Sequence, residues 1–324
     1  MLICSFCSEE GTFEDFEIDQ KYGRGFWCES CDSFNYFSKV TEQHKFTLIL
    51  EDKYGDKPSF ITSPTKLRKQ LSPLRYPGGK SKLIDYLYSH LQKEKTDLLV
   101  SPFTGGGSFE LAMLDAGIVN RLHLNDLDYG VYSLWWTILH APYALTEKIK
   151  GRTPTHEEFY RAQKIINTNF YGVNSIDAAW ATLIVNRLAY SGIAKANPLG
   201  GRKGSQQALL SRWNPSQLIQ RLEHIHSFSD KITVTQEKAT DLIEEAYWKD
   251  DCTIFIDPPY VAKGKALYNC FYTREDHIEL CVLLDSLFKG MPGADLILTY
   301  DYSTWIEKLY SFPEIQVIGR SYSI

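Results

Sequence analysis

Short apolar runs closed by turn-forming residues alternate with stretches of helical spacing over most of this chain. Cys252-Thr253-Ile254-Phe255-Ile256 lacks the polar break at every second residue that marks a half-wet strand, so it predicts a buried parallel strand. Asp97-Leu98-Leu99-Val100-Ser101 reads the same way. It runs through Pro102–Ser108 into Phe109, Ala112, Met113 and Ala116, which share one helix face. Arg121-Leu122-His123-Leu124 predicts the next strand, ending at Asn125-Asp126. Ile232-Thr233-Val234, Leu296–Thr299 and Ile315–Ile318 predict three more, with a helix near Trp305 before the last. Leu83, Ile84, Leu87 and Leu91 mark a helix ahead of the first strand. Strands alternating with helices predict an α/β fold around a parallel sheet.

The spacing of these elements predicts the organisation. About 130 residues separate Asp126 from Asp257, far more than one crossover helix needs. Residues 127–139 complete the first half of the sheet domain, and 142–230 read as an inserted helical module. The expected division is 1–51 as a small cysteine-bearing unit, 52–73 as a linker rich in Pro, Ser and charge, 74–141 with 231–324 as the sheet domain, and 142–230 as the insert. A chain of 324 residues with 44% hydrophobic and 23% charged residues is an ordinary globular composition. No apolar run approaches a membrane span, and the start Met1–Cys7 lacks the basic and long apolar regions of a signal peptide. A reducing cytoplasm is the expected location, with the protein a monomer or weak dimer.

In that compartment paired cysteines suggest metal before disulfide. Cys4 and Cys7 form one C-x-x-C pair, Cys28 and Cys31 a second. Two such pairs supply four thiolates to a closed tetrahedral site, and so short a unit needs that help to fold. Structural Zn²⁺ is expected; iron held by the same ligands is the rival. Net charge is −5, yet 63–82 and 186–221 carry six basic residues each and no acid. Phosphate binding depends on such local surface more than on the total. Arg187, Lys195, Arg202 and Lys203 are the candidate nucleic-acid contacts, against the plain alternative of a solvated charged face.

The sharpest chemistry lies at Asp257-Pro258-Pro259-Tyr260. These residues end the apolar run, where open α/β sheets bind ligands. The prolines stop the strand and stiffen the turn, so the Asp257 carboxylate and Pro258 carbonyl become two fixed acceptors suited to a planar amine. Tyr260 adds an aromatic face. The turn Pro102-Phe103-Thr104-Gly105-Gly106-Gly107-Ser108 lies between a strand and a helix, the place for close backbone approach to a ligand. Asp126 lies about twenty residues beyond, where nucleotide folds bind ribose hydroxyls. The glycines lack the dinucleotide spacing, which disfavours NAD; an adenosine-bearing cofactor fits better. Arg75-Tyr76-Pro77-Gly78-Gly79-Lys80 offers a ring and an ammonium to a carboxylate-bearing ligand, without P-loop spacing.

Taken in order, these three motifs resemble the Dam-type (D12 class, α-group) DNA adenine-N6 methyltransferases over about residues 74–324, with the four-cysteine knuckle outside the resemblance. The resemblance implies a Rossmann-like S-adenosylmethionine-dependent methyltransferase fold, an inserted target-recognition domain, and methyl transfer to an adenine flipped out of double-stranded DNA. It implies Tyr76, Lys80, Phe103, Gly105, Asp126 and Asp257 as cofactor contacts. Asp257 and Pro258 would accept the N–H bonds of the adenine amine, with Tyr260 stacked on the base. Two departures stand out. Gln236 and Glu237 follow the strand at Ile232 where the family often has Asp, and no antiparallel strand follows Ile315–Ile318, so either the chain is shortened or the sheet ends one strand early. Alternatives are a ribosomal-RNA base methyltransferase, a cytosine-N4 enzyme, or an inactive DNA-binding relative.

Overall fold

The computed structural model describes residues 2–3, 10–11, 16–19, 23–28, 30–31, 33–36, 44–76, 78–92, 95–249, 251–261, 270–290 and 292–319. Five short strands come first: Leu2–Ile3 (β1), Glu10–Gly11 (β2), Phe16–Asp19 (β3), Gly23–Cys28 (β4) and Ser33–Tyr36 (β5). β1 pairs with β2, and β3, β4 and β5 form an antiparallel sheet. The main sheet takes Phe46–Asp52 (β6), Leu98–Ser101 (β7), Arg121–Asn125 (β8), Ile232–Thr235 (β9), Cys252–Ile256 (β10), Asp295–Asp301 (β11) and Glu314–Gly319 (β12). Their spatial order is β12-β6-β11-β10-β7-β8-β9, and every pairing is parallel. This is a mixed α/β architecture consistent with a Rossmann-like methyltransferase.

Helices cover both faces. Ile84–Tyr88 (α1), Ser108–Asp115 (α2), Tyr129–His140 (α3), Pro142–Gly151 (α4), His156–Asn167 (α5), Ser175–Leu188 (α6), Gln206–Leu209 (α7) and Pro215–His226 (α8) precede β9. Ala239–Tyr247 (α9), Arg274–Lys289 (α10) and Thr304–Leu309 (α11) follow it. Side chains alternate across a strand, so each sheet strand feeds two cores. Ile49, Leu99, Leu122, Phe255 and Ile297 join the cluster formed with α2, α3 and the helices after them. Leu48, Leu50, Leu98, Val100, Ile254 and Leu298 join the cluster formed with α9 and α10. Phe159, Leu183 and Leu222, from α5, α6 and α8, belong to the same cluster as Phe109 and Leu134. The helical stretch between β8 and β9 therefore shares its core with the sheet. No helix among the described residues is long and apolar enough to cross a membrane.

Two expectations are corrected. A division that places residues 46–51 in the cysteine-bearing unit and 52 in the linker does not hold, because β6 lies inside the main sheet, hydrogen-bonded to β11 on one side and β12 on the other. Phe46–Leu50 is a buried run of the kind that identified the other strands, and Leu48, Ile49 and Leu50 have no exposed surface. Burying each such side chain contributes roughly 1.5–3 kcal/mol, more than a ribbon of about forty residues offers it. Nor does the sheet end a strand early. β6 supplies the seventh strand, from upstream and parallel, and so no extra strand is needed after β12.

Candidate active site

From β7 the chain moves outward to β8 and β9, then returns to the other side of β7 as β10. That reversal opens a crevice beyond the carboxyl ends of β7 and β10, the place where doubly wound sheets bind ligands. The turn after β7 forms one wall and Asp257, just after β10, the other. Between them lies a cleft, partly open to solvent, whose lining includes Tyr76, Lys80, Phe103, Gly105, Asp126 and Asp257. All six residues expected to touch the cofactor thus meet in one place.

The glycine turn is braced from several sides. Thr104 N–H donates to the Asn125 carbonyl at 2.9 Å, and Asn125 N–H donates to Thr104 Oγ1 at 2.9 Å. Trp135 Nε1 donates to the Gly105 carbonyl at 3.1 Å. Gly105 holds φ +47°, and a Cβ there would lie 2.7 Å from Tyr76 Cε1. Only glycine takes this conformation while the Tyr76 ring lies against the turn. Gly105 N–H donates to Asp126 Oδ2 at 2.8 Å and Asp128 N–H to Asp126 Oδ1 at 3.0 Å. Burial, with Asp128 nearby, pushes the Asp126 carboxyl up to about 7 despite those bonds. Hydroxyl donors from a ribose would add to them and favour the ionised form. Phe103, Leu127, Phe271 and Tyr272 give the cleft apolar walls for a flat ring. A nucleoside with a charged tail fits this donor set.

The opposite wall carries the proline corner. Asp257 Oδ1 accepts from Lys80 Nζ at 2.5 Å and from Thr299 Oγ1 at 2.7 Å. Among the described residues both bonds fall on Oδ1, which leaves Oδ2 for an incoming donor. Lys80 is buried and also lies 3.2 Å from the Gly78 carbonyl and 3.1 Å from Glu51 Oε1. Its ammonium is committed to the protein, so a ligand carboxylate has to compete for it. Pro259 lines the cleft, whereas Pro258 and Tyr260 are buried and do not. Tyr260 is 7% exposed, with Lys80 Nζ 5.8 Å from its ring centroid. Gly78 holds φ +79°, and a Cβ on it would collide with the Tyr260 hydroxyl. The ring is thus packed under the corner, not open as a platform. Gln236 and Glu237 are exposed and outside the cleft.

Sequence reasoning missed Glu110, Thr299 and Glu51. Glu110 lines the cleft fully buried, accepts from Ser101 Oγ at 2.6 Å, and is pushed up to about 7, mainly by burial. Its position in the first turn of α2 beside the glycines was the available signal.

The basic candidates scatter. Lys195, Arg202 and Lys203 are exposed, while Arg187 is buried and donates to the Arg212 carbonyl at 2.8 Å. Arg187 instead belongs to a group with Arg75, Arg212 and Arg221. Burial first, then these three neighbours, pull its guanidinium down to about 10. Among the described residues none of the four makes an ion pair. Asn186 fastens this group to the first motif, accepting from Arg75 N–H at 2.8 Å and donating to its carbonyl at 3.0 Å. Of the four cysteines expected to hold a metal, Cys4 and Cys7 lie outside the described residues. Cys28 is buried at the end of β4 and Cys31 sits in the turn that follows. Among the described residues no group of three or more metal-binding side chains occurs.

No curated protein matches the chain. The model for the D12 class N6 adenine-specific DNA methyltransferases matches residues 76–324, from the first motif through the cleft to the last strand. On that match, and with the motifs converging on one crevice, the chain belongs to the D12 class N6 adenine-specific DNA methyltransferases.

Proposed function

We propose that this adenine-N6 DNA methyltransferase acts on an adenine extruded from the duplex into the corner at Asp257. An amine inside a base stack is out of reach of any cleft, and extrusion costs a few kcal/mol. S-adenosylmethionine, implied by the family, supplies the methyl group. The protein's own task is alignment. Asp257 Oδ2 and the Pro258 carbonyl accept the two N–H bonds of the exocyclic amine. Pyramidal nitrogen is thereby favoured, and its lone pair is freed from the ring. Asp126 holds the ribose hydroxyls, and Tyr76 and Phe103 flank the cleft. Stacking of the base on Tyr260 requires its entry to uncover that ring. The observation that carries this reading is the double anchoring of Asp257 Oδ1 by Lys80 and Thr299, which fixes the other oxygen.

The helices α4 to α8 serve as target-recognition region, with Lys195, Arg202, Lys203 and the arginine group facing backbone phosphates. Cys4, Cys7, Cys28 and Cys31 hold a structural Zn²⁺ in this reading. Support comes from the C-x-x-C turn at the end of β4. Asp257→Ala removes an acceptor and leaves Lys80 paired with Glu51, so the fold should survive while methyl transfer drops about 10²–10³-fold. Sequencing readout of N6-methyladenine in DNA from expressing cells checks this. Wild-type modification by that variant would remove Asp257 from the mechanism.

A further inference from the structure

We infer that Glu51 is a positioning residue for methyl transfer, acting through Lys80 on Asp257. The inference rests on the reading of Asp257 as acceptor of the target amine.

Glu51 comes from β6, outside residues 76–324 that match the family model. In the register of the sheet it stands opposite Asp301, at the carboxyl end of β11. Its carboxylate therefore reaches the same rim as Asp257. The Glu51 side chain has no exposed surface, that of Lys80 has 3%, and that of Asp257 has 20%. Charge thus runs from a buried acid, through a buried ammonium, to an acid at the cleft. An ammonium is a compact donor with three N–H bonds and no preferred plane. It donates to Gly78 O at 3.2 Å and Asp257 Oδ1 at 2.5 Å, and Glu51 Oε1 stands 3.1 Å away as an ion-pair partner outside hydrogen-bond geometry. Together they fix its place.

Buried ion pairs are weak sources of stability, because desolvation cancels most of the attraction. A role in chemistry accounts better for a second acid behind Lys80. If Lys80 had only Asp257 as counter-ion, its full charge would fall on the oxygen pair that must accept the amine. Shared with Glu51, the ammonium still orients Asp257 while leaving more negative charge on it. A stronger acceptor favours the pyramidal nitrogen. Thr299 holds the same oxygen from β11 without altering the charge.

The test uses the full chain. Glu51→Gln keeps the shape and removes the charge. Single-turnover transfer of labelled methyl to DNA is measured with both substrates saturating, alongside S-adenosylhomocysteine and DNA affinities. The expected result is a transfer rate about 30-fold lower across pH 6–9, with both affinities within about threefold of wild type; a packing role would move affinity and rate together. In a Lys80→Met background, Glu51→Gln should add less than about twofold, because its route to Asp257 is gone. Glu51→Asp, which keeps the charge on a shorter arm, should recover part of the rate. It also stands in if Glu51→Gln does not fold: a loss of at least about fivefold with unchanged S-adenosylhomocysteine affinity supports the inference, and a wild-type rate overturns it. Wild-type transfer by Glu51→Gln also overturns it. Asp257→Asn run in parallel separates the two readings. If that variant is dead while Glu51→Gln is normal, only the role of Glu51 fails; if it too is normal, the acceptor reading falls.

Discussion

The cleft and the arginine group lie on neighbouring parts of the molecule and solve opposite problems. In the cleft every charge is answered from within. Lys80 has two carboxylates, Asp126 two backbone amides, and Glu110 the Ser101 hydroxyl. Such a site is organised before its ligand arrives and loses little on reorganisation. Around Arg187 the opposite holds: four guanidiniums crowd together, with no ion pair to an acid among the described residues. Among the described residues, Arg187 and Arg221 are met there only by the carbonyls of Arg212 and Ser72, which carry no countercharge. A preorganised pocket suits a small ligand, and an unbalanced cationic surface suits a polyanion. Asn186 ties the two through the Arg75 backbone.

The comparison breaks most sharply if each half can be damaged alone. Gly105→Ala places a methyl group 2.7 Å from Tyr76 at a φ of +47°. Strain of about 1–3 kcal/mol at such a position translates to a roughly 10–100-fold loss of S-adenosylhomocysteine affinity. Duplex affinity, measured by fluorescence anisotropy without cofactor, should stay as in wild type. Equal losses in both assays would show that the halves are not separate.

The converse damage is Arg212→Gln. Arg212 is exposed and its side chain adds to the crowding around Arg187, so the variant should fold at least as stably. Loss of one phosphate contact lowers the slope of log affinity against log salt by about 1, with duplex binding near ~10-fold weaker at moderate salt. S-adenosylhomocysteine titration should be unaffected. An unchanged salt slope would assign the group to packing alone.

How far this contrast was legible in the sequence follows from the range of each interaction. Asp257, Gly105 and Asp126 stood out because strand, turn and acid are contiguous, and local chemistry implies local geometry. Most of the parallel strands were visible as apolar runs. Phe46–Leu50 is an equally apolar run, yet it lies ahead of the first motif and beside the cysteines, and nothing local says which sheet it enters. The Glu51–Lys80–Asp257 chain spans over two hundred residues of sequence and exists only through the placement of β6. The arginine group likewise draws on Arg75, Arg187, Arg212 and Arg221, from three separate stretches. The burial of Tyr260 was hidden for a related reason. The sequence shows a ring beside the prolines but not that Gly78 makes room for it underneath.

The smallest effect concerns the cleft's carboxyl groups, whose cost should be visible as a function of pH. Glu110 is pushed up to about 7 in the folded chain, chiefly by burial, against about 4.3 in an unfolded one. Between those values the folded form holds the extra proton, so stability falls as pH rises from about 4 to about 7 and levels off above. Asp126, also near 7, adds in the same sense. Glu110→Gln keeps an acceptor for Ser101 and removes one of the two titrations. Without cofactor, its melting temperature should match wild type near pH 4 and exceed it near pH 8 by roughly 5 °C, the equivalent of at most ~4 kcal/mol. The shallower slope that remains belongs to Asp126, and saturation with S-adenosylhomocysteine should reduce it, since ribose hydroxyls favour the ionised form. A variant as pH-sensitive as wild type would mean that Glu110 is already charged and answered by a cation, making the cleft's internal balance more complete than the distances imply.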